Sequence, residues 1–293
     1  MKHIHKKIRQ SFHRIKKEYF FVFLGLSIFM FLCVVGIYFF KLVPKNLHSI
    51  SLVSTTTPAQ LENLKLLGQA KLSYAGGTPG RNKNIELGVA RINGTIIPPG
   101  KEFSFSKVLG LVAVVDGFSV EKVFQNGEVV KGVGGGLCQV STTLFQAALH
   151  TGLPITERHN HTYSVSYYDV GLDATYSNPG PDLRFINDTG NPITIRGTAV
   201  NHFVTFQLYG VQDGRIASTT EPEIVDVVDF PPPKYVTVPE IPTGEKLCHN
   251  SPQIGYTTHV TYNILYKTGE KKEQLFTSVY RPLQRVCLTV ESK

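Results

Sequence analysis

The chain predicts an α+β fold, a cysteine-bearing helix packed on a mainly antiparallel sheet. Three observations carry this. From Leu137, apolar residues recur at Val140, Leu144 and Ala147/Ala148, the spacing of a helix with one buried stripe, and Gly152 and Pro154 end it. From Leu183 to Gly210, short runs of β-branched and aromatic residues (LRFIN, PITIRGTAV, HFVTFQLYG) read as successive strands. Near the end, Tyr256–Tyr266 and Glu273–Tyr280 alternate around Lys267-Thr268-Gly269-Glu270, a hairpin pattern that predicts a small all-β module over 243–293.

The fold is preceded by a basic tail (1–18), an uncharged apolar run at 19–40 and a Ser/Thr-rich stalk over 41–63. The run is long enough to span a bilayer as one helix, which takes about 20 residues. Seven basic residues against Glu18 precede it, so the positive-inside rule places residues 1–18 in the cytoplasm and the bulk of the chain outside. A cleaved signal peptide is the alternative; the length of the run and the absence of an A-x-A site in KLVPKNLHS favour an uncleaved single-pass anchor. The first 40 residues carry +6 of the net charge of +8, so the basic balance describes a tail and no nucleic-acid surface is read from it.

The main domain is read over 64–212. Leu61–Leu72 fits a short helix or a first strand, Thr78–Asn82 a turn, and Asn84–Asn93 a helix stopped by Gly94. Phe103 and Phe105 alternate with polar neighbours as a strand does, and Phe118–Val130 is a hairpin turning at Asn126-Gly127. Pro154–Tyr168 is strand-like, which puts His159 and His161 on one face. Residues 213–242, acidic and holding Pro231-Pro232-Pro233, read as a stiff linker to the C-terminal module.

Chemistry centres on Cys138. Gly134-Gly135-Gly136 place it in the first turn of its helix, where unpaired N–H groups and the helix dipole favour a thiolate. The glycines would let backbone or a ligand approach the sulfur. It is either a nucleophile or a small buried hydrophobe, the usual state of a free cysteine. Cys33 falls in the apolar run. Cys248 and Cys287 lie near the ends of the C-terminal module, where an extracellular disulfide would contribute on the order of 4 kcal/mol; two unpaired buried thiols are the alternative. A thiol acyl-transferase needs an imidazole base and a polar orienting group, and the candidates are His161, with His159 as substitute, and Asp173. Gln139 and the Cys138 N–H are candidate oxyanion donors. Ser141 and Thr142 would line a groove or bond to backbone. Glu157 and Arg158 fit a binding role or a paired charge cluster. A zinc site at Cys138, His159 and His161 is a second reading, although no C-x-x-C or H-E-x-x-H is present. The glycines form no phosphate loop, since no G-x-x-x-x-G-K-[ST] follows, and no G-x-S-x-G marks a serine hydrolase.

GGGLCQVSTTLFQAAL, ERHNHTYSVSYYDVGLDATYSNPGPDLRFIN and PITI, with IIPPGKEFSFSKVLG upstream, resemble the central block of the VanW family over Leu64–Gly210. The family's motif falls here on Gly134, Gly135, Gly136, Cys138, Gln139, Ser141, Thr142, Glu157, Arg158, His161, Asp173, Ala174 and Thr175; TPGRNKN departs from its pattern. GYTTHVTYNILYKTGEK resembles the wall-associated module called G-five. The resemblance implies a bacterial cell-envelope protein, connected through the family's name with resistance to glycopeptides, which bind peptidoglycan precursors. It implies no cofactor and assigns no reaction. Two classes therefore stand open: a cysteine-dependent acyltransferase or peptidase acting on peptidoglycan peptides, its core loosely like papain or transglutaminase by analogy, and a non-catalytic module binding wall peptide or a protein partner.

Overall fold

The computed structural model describes residues 64–125, 128–165, 168–239, 247–249 and 251–290. The basic tail, the apolar run at 19–40, the stalk and the Asn126-Gly127 turn lie outside these. Among the described residues no helix is long and apolar enough to cross a membrane.

Two antiparallel sheets enclose one helix. The first sheet holds β1 (Lys65–Ser73), β2 (Ile96–Ile97), β8 (Ile193–Val200) and β9 (Phe203–Gly210) in the order β1-β9-β8-β2. Its inward residues Ile193, Ile195, Val204, Phe206 and Leu208 are wholly buried. Against this face lie α1 (Pro79–Ile92) and α3 (Leu137–Thr151). The helix read at Asn84–Asn93 begins earlier, within the segment read as a turn. Thr78 caps it by accepting the Arg81 N–H at 3.2 Å, and Pro79 takes the first position, where no N–H is missed.

Three smaller units frame α3. A short helix, α2 (Phe105–Leu109), follows β3 (Glu102–Ser104), so Phe103 lies within a strand and Phe105 opens a helix. β3 pairs with β7 (Arg184–Ile186), which pairs with β6 (Ile155–Glu157). β4 (Val120–Gln125) and β5 (Glu128–Val133) form the hairpin that delivers the chain to the three glycines. Gly136, at φ 109°, is the α3 N-cap, a left-handed conformation that glycine adopts without a Cβ penalty. Gly135 packs against β4 so tightly that a Cβ would lie 2.5 Å from the Lys122 carbonyl oxygen. These glycines therefore seat the helix on the hairpin rather than opening a path for a ligand. Gly135→Ala is expected to destabilise the fold by about 1–3 kcal/mol, the usual cost of overpacking, read by thermal unfolding; an unchanged midpoint would contradict the packing.

The second sheet corrects the reading of 213–242 as a linker. That segment contains β10 (Ile216–Thr219), β11 (Glu223–Val228) and β12 (Lys234–Val238). β10 and β11 both pair with β14 (Gly255–Leu265), whose other edge pairs with β15 (Lys271–Tyr280). β12 and β13 (Cys248–His249) flank β16 (Val286–Val290), and Cys248 and Cys287, opposite each other there, are disulfide-bonded. The linker appearance has a physical origin: every residue of β11 is exposed, so it shows no inward apolar alternation and keeps its acids in water while its backbone pairs.

The β14–β15 hairpin also packs on α3. Val260, Tyr262, Ile264 and Phe276 join one core with Leu144, Phe145 and Ala148. The Phe145 and Phe276 rings meet edge-on at 5.6 Å, and the Tyr262 hydroxyl donates to the Leu149 and Leu153 carbonyls at 3.1 and 3.2 Å. Covered on both sides, α3 buries nearly all its residues instead of the single predicted stripe.

Candidate functional site

A helix buried on every face must satisfy its own polar side chains. Ser141 and Thr142, both wholly buried, donate to the Ala174 carbonyl at 2.6 and 3.1 Å, and Thr142 accepts the Ala174 N–H at 3.0 Å. They clasp the Asp173–Ala174 segment to the helix and line no groove. Gln139 is likewise engaged: its amide donates to Ser73 O at 2.5 Å and its oxygen accepts from Arg81 at 2.7 Å. It is not available as an oxyanion donor.

That clasp sets Asp173 beside His161. The carboxylate, 2% exposed, accepts four hydrogen bonds. Its Oδ2 takes the His161 backbone N–H at 2.7 Å and Nδ1–H at 2.5 Å. Its Oδ1 takes Arg158 Nη2 at 2.9 Å and the Tyr280 hydroxyl at 2.6 Å. With Nδ1 committed to Asp173, the other ring nitrogen of His161 is left to hydrogen-bond the Cys138 thiol. The ring is also stacked on Tyr168, centroids 5.4 Å apart. Cys138, half-buried in the first turn of α3, contacts the Tyr176 carbonyl at 3.5 Å.

The electrostatics follow from these contacts. Burial pushes the Cys138 thiol up, but the hydrogen bond and charge of His161, with the Tyr176 backbone contact, outweigh it and hold the thiol below its ordinary value. Burial pushes His161 down; the bonds to Asp173 and Cys138 and their charges overcome that and raise it to about 9. For Asp173 too burial is the largest effect, and His161, Arg158 and Tyr280 together reverse it and hold the carboxyl low. Both shifts favour the thiolate–imidazolium pair over the neutral thiol and imidazole.

Linkage gives the sign of the stability effect. His161 is raised on folding, so its contribution is full below the ordinary value of 6.5 and is lost as pH rises through about 9. Since Cys138 supplies part of this, the imidazole in Cys138→Ala should titrate lower than in the parent protein. Proton NMR of the ring reads this, and an unmoved titration would contradict the pairing.

Several candidates fall elsewhere. Past Glu157 the chain leaves the sheet, because the His161 N–H bonds to Asp173 and the His159 carbonyl accepts the Thr175 N–H at 2.8 Å. His159 and His161 therefore do not share a strand face. His159 is exposed and pairs with Glu157 at 3.2 Å. The ligand set Cys138/His159/His161 is not assembled, and among the described residues no group of three His, Cys, Asp or Glu side chains is placed to hold a metal. Glu157 also accepts the Asp182 N–H and pairs with Arg184 at 3.0 Å, bracing β6 and β7. Arg158 is buried behind Asp173: Nε donates to Asp173 O at 2.5 Å, Nη2 to Gly171 O at 3.0 Å and Nη1 to Ser278 Oγ at 2.8 Å. An open cleft of about 340 Å³ between β6 and β15, lined by Thr156, Glu157, His159, Gln274 and Thr277 among others, does not include Cys138.

Tyr280, Ser278, Tyr168 and Tyr176 were not identified as site residues from sequence. One signal existed for Ser278. It interrupts the inward row Phe276, Ser278, Tyr280 of β15, and a small polar residue at such a position implies a buried partner.

The fold and site define a sheet-rich α+β protein in which a helix start presents a cysteine to a buried histidine–aspartate pair. Residues 80–209 match the family model described as VanW like protein. It is 39% identical over 143 residues to the uncharacterized protein YoaR of Bacillus subtilis strain 168, covering 49% of this chain and 47% of that one. It is 34% identical over 111 residues to the vancomycin B-type resistance protein VanW of Enterococcus faecalis V583, covering 36% and 40%. The chain thus matches less than half the length of each of these relatives. No solved structure matches it.

Proposed function

We propose that this protein is a cysteine-dependent acyltransferase or peptidase acting on peptides of the cell wall. The observation that carries the reading is the Cys138–His161–Asp173 relay, in which Nδ1 of the imidazole is hydrogen-bonded to a fully satisfied carboxylate and the ring lowers the pKa of the Cys138 thiol. The Cys138 thiolate attacks a substrate carbonyl, forming a carbon–sulfur bond and a tetrahedral oxyanion. The N–H of Cys138 lies in the helix's first turn, where backbone donors lack intrahelical acceptors, and stabilises that oxyanion. The intermediate collapses to a thioester as the amine leaves with the proton of His161. An amine or water then attacks the thioester, His161 takes its proton, and the thiolate departs. Asp173 holds the ring and stabilises its charge throughout.

The substrate class is supported by the name of the Enterococcus faecalis relative, a vancomycin resistance protein, and by the sequence run at 19–40, which in this reading anchors the chain in the cell membrane with its bulk outside, facing peptidoglycan. The C-terminal strands, similar in sequence to the G-five module, form in this reading a wall-facing part of the same body.

The test is to incubate the full-length protein with defined peptidoglycan stem peptides and follow substrate and protein masses. Transfer or hydrolysis, with an acyl adduct on Cys138, is expected. Tight peptide binding with no mass change in either partner would replace this reading by the non-catalytic binding module.

A further inference from the structure

The residues that hold Asp173 come from two parts of the chain. His161 and Arg158 lie inside the region matched by the family, residues 80–209. Tyr280 and Ser278 lie on β15, some 70 residues beyond it. From that strand the Tyr280 hydroxyl donates to Asp173 Oδ1 at 2.6 Å and accepts the Gly171 N–H at 3.0 Å, so it pins both the carboxylate and the backbone two residues before it. Ser278, wholly buried, accepts from Arg158, whose other nitrogens hold the Asp173 carboxylate and the Asp173 and Gly171 carbonyls. Asn160, one residue before His161, donates to the Val279 carbonyl at 2.8 Å, and the Arg281 N–H donates to Thr162 O at 2.7 Å. Gly171 also backs onto β14, where a Cβ would lie 2.8 Å from a Val260 methyl. The second sheet is therefore the rear wall of the relay, meeting it with polar groups at matched positions.

We infer that Tyr280 and Ser278 are positioning residues of the Cys138–His161–Asp173 site, and that the C-terminal sheet, outside the matched family region, completes it. Tyr280 and Arg158 together occupy Oδ1, which leaves Oδ2 to accept from the backbone N–H and Nδ1–H of His161. Without the Tyr280 hydroxyl the carboxylate turns about the Arg158 contact, and the Gly171–Asp173 backbone loses an anchor at a buried N–H. The bond to His161 lengthens, the imidazolium is held less well, and the thiolate with it. Their side chains hydrogen-bond Asp173, Gly171 and Arg158, so neither residue contacts the reacting atoms. The inference rests on the thiolate reading proposed above.

The experiment is the pH dependence of haloacetamide alkylation at Cys138 in the full-length protein, followed on the Cys138 peptide by mass spectrometry. The groups bearing on this thiol are His161, Asp173, Arg158 and the hydroxyls of Tyr176 and Tyr280. Tyr280→Phe should move the alkylation midpoint up by about one pH unit; Ser278→Ala should move it the same way by less. Ile264→Ala, a cavity in the core of the same sheet, should lower thermal stability and leave the midpoint in place. A midpoint in Tyr280→Phe that stays put or moves down, as it would if the hydroxyl only drained charge from the carboxylate, overturns the inference, as does an equal shift in Ile264→Ala. If the parent protein has no depressed midpoint, the failure belongs to the thiolate reading itself.

Discussion

Replacing Cys138 by alanine should abolish acyl transfer and alkylation at this site while leaving the protein folded. The side chain is small and half-buried, and its contacts are with His161 and one carbonyl, so its removal costs stability on the order of 1 kcal/mol or less. Removing a nucleophile that acts as a unit with its base costs catalysis about 10⁵- to 10⁶-fold. Turnover of a stem peptide, with circular dichroism as the folding control, checks both halves. Turnover within tenfold of the parent, at equal abundance, would show that the chemistry lies elsewhere.

Asp173→Asn should damage stability and activity together. Each carboxylate oxygen faces two donors: the His161 N–H and Nδ1–H on one side, Arg158 and Tyr280 on the other. An asparagine amide, in either orientation, points its NH₂ at one of these pairs. Arg158, with a side chain 4% exposed, also loses its counter-charge. Breaking a buried ion pair by removing one partner costs about 3–5 kcal/mol, which in a domain of this size lowers the melting temperature by roughly 10 °C. The imidazole loses the acceptor that fixes its tautomer, a defect that costs about 10⁴-fold in kcat where the same arrangement has been dissected. Calorimetry and single-turnover kinetics separate the two effects. A variant as stable as the parent would mean that the four-donor cage is not formed in solution.

How much of this could be read from the chain differs by element. Cys138 at a helix start, the Gly152 stop and the C-terminal hairpin were legible because each is a local pattern, a 3.6-residue or two-residue period with its punctuating glycine. His161 and Asp173 could be nominated from residue type and order, but their contact could not. It depends on Ser141 and Thr142 clasping the 173–174 backbone, and buried serines and threonines look in sequence like ordinary surface positions of a helix. The error at His159 has the same root, since extended-looking residues leave a sheet when side chains such as Asp173 capture their backbone. The second sheet was misplaced as a separate module because β11 and β12 carry no apolar alternation, and their proline and acidic content suggests a linker. With that sheet set apart, nothing could point from Tyr280 to Asp173, 107 residues away.

The central claim is that one sulfur at the head of α3 is held below the ordinary thiol value by its histidine neighbour. The most direct measurement is the ultraviolet absorbance of the thiolate as a function of pH, taken as the difference between the full-length protein and its Cys138→Ser variant so that other thiols cancel. The account predicts an inflection below the ordinary cysteine range, and loss of the thiolate–imidazolium pair as His161 deprotonates near pH 9. A single inflection at or above the ordinary cysteine value, with no coupled histidine titration, would contradict it.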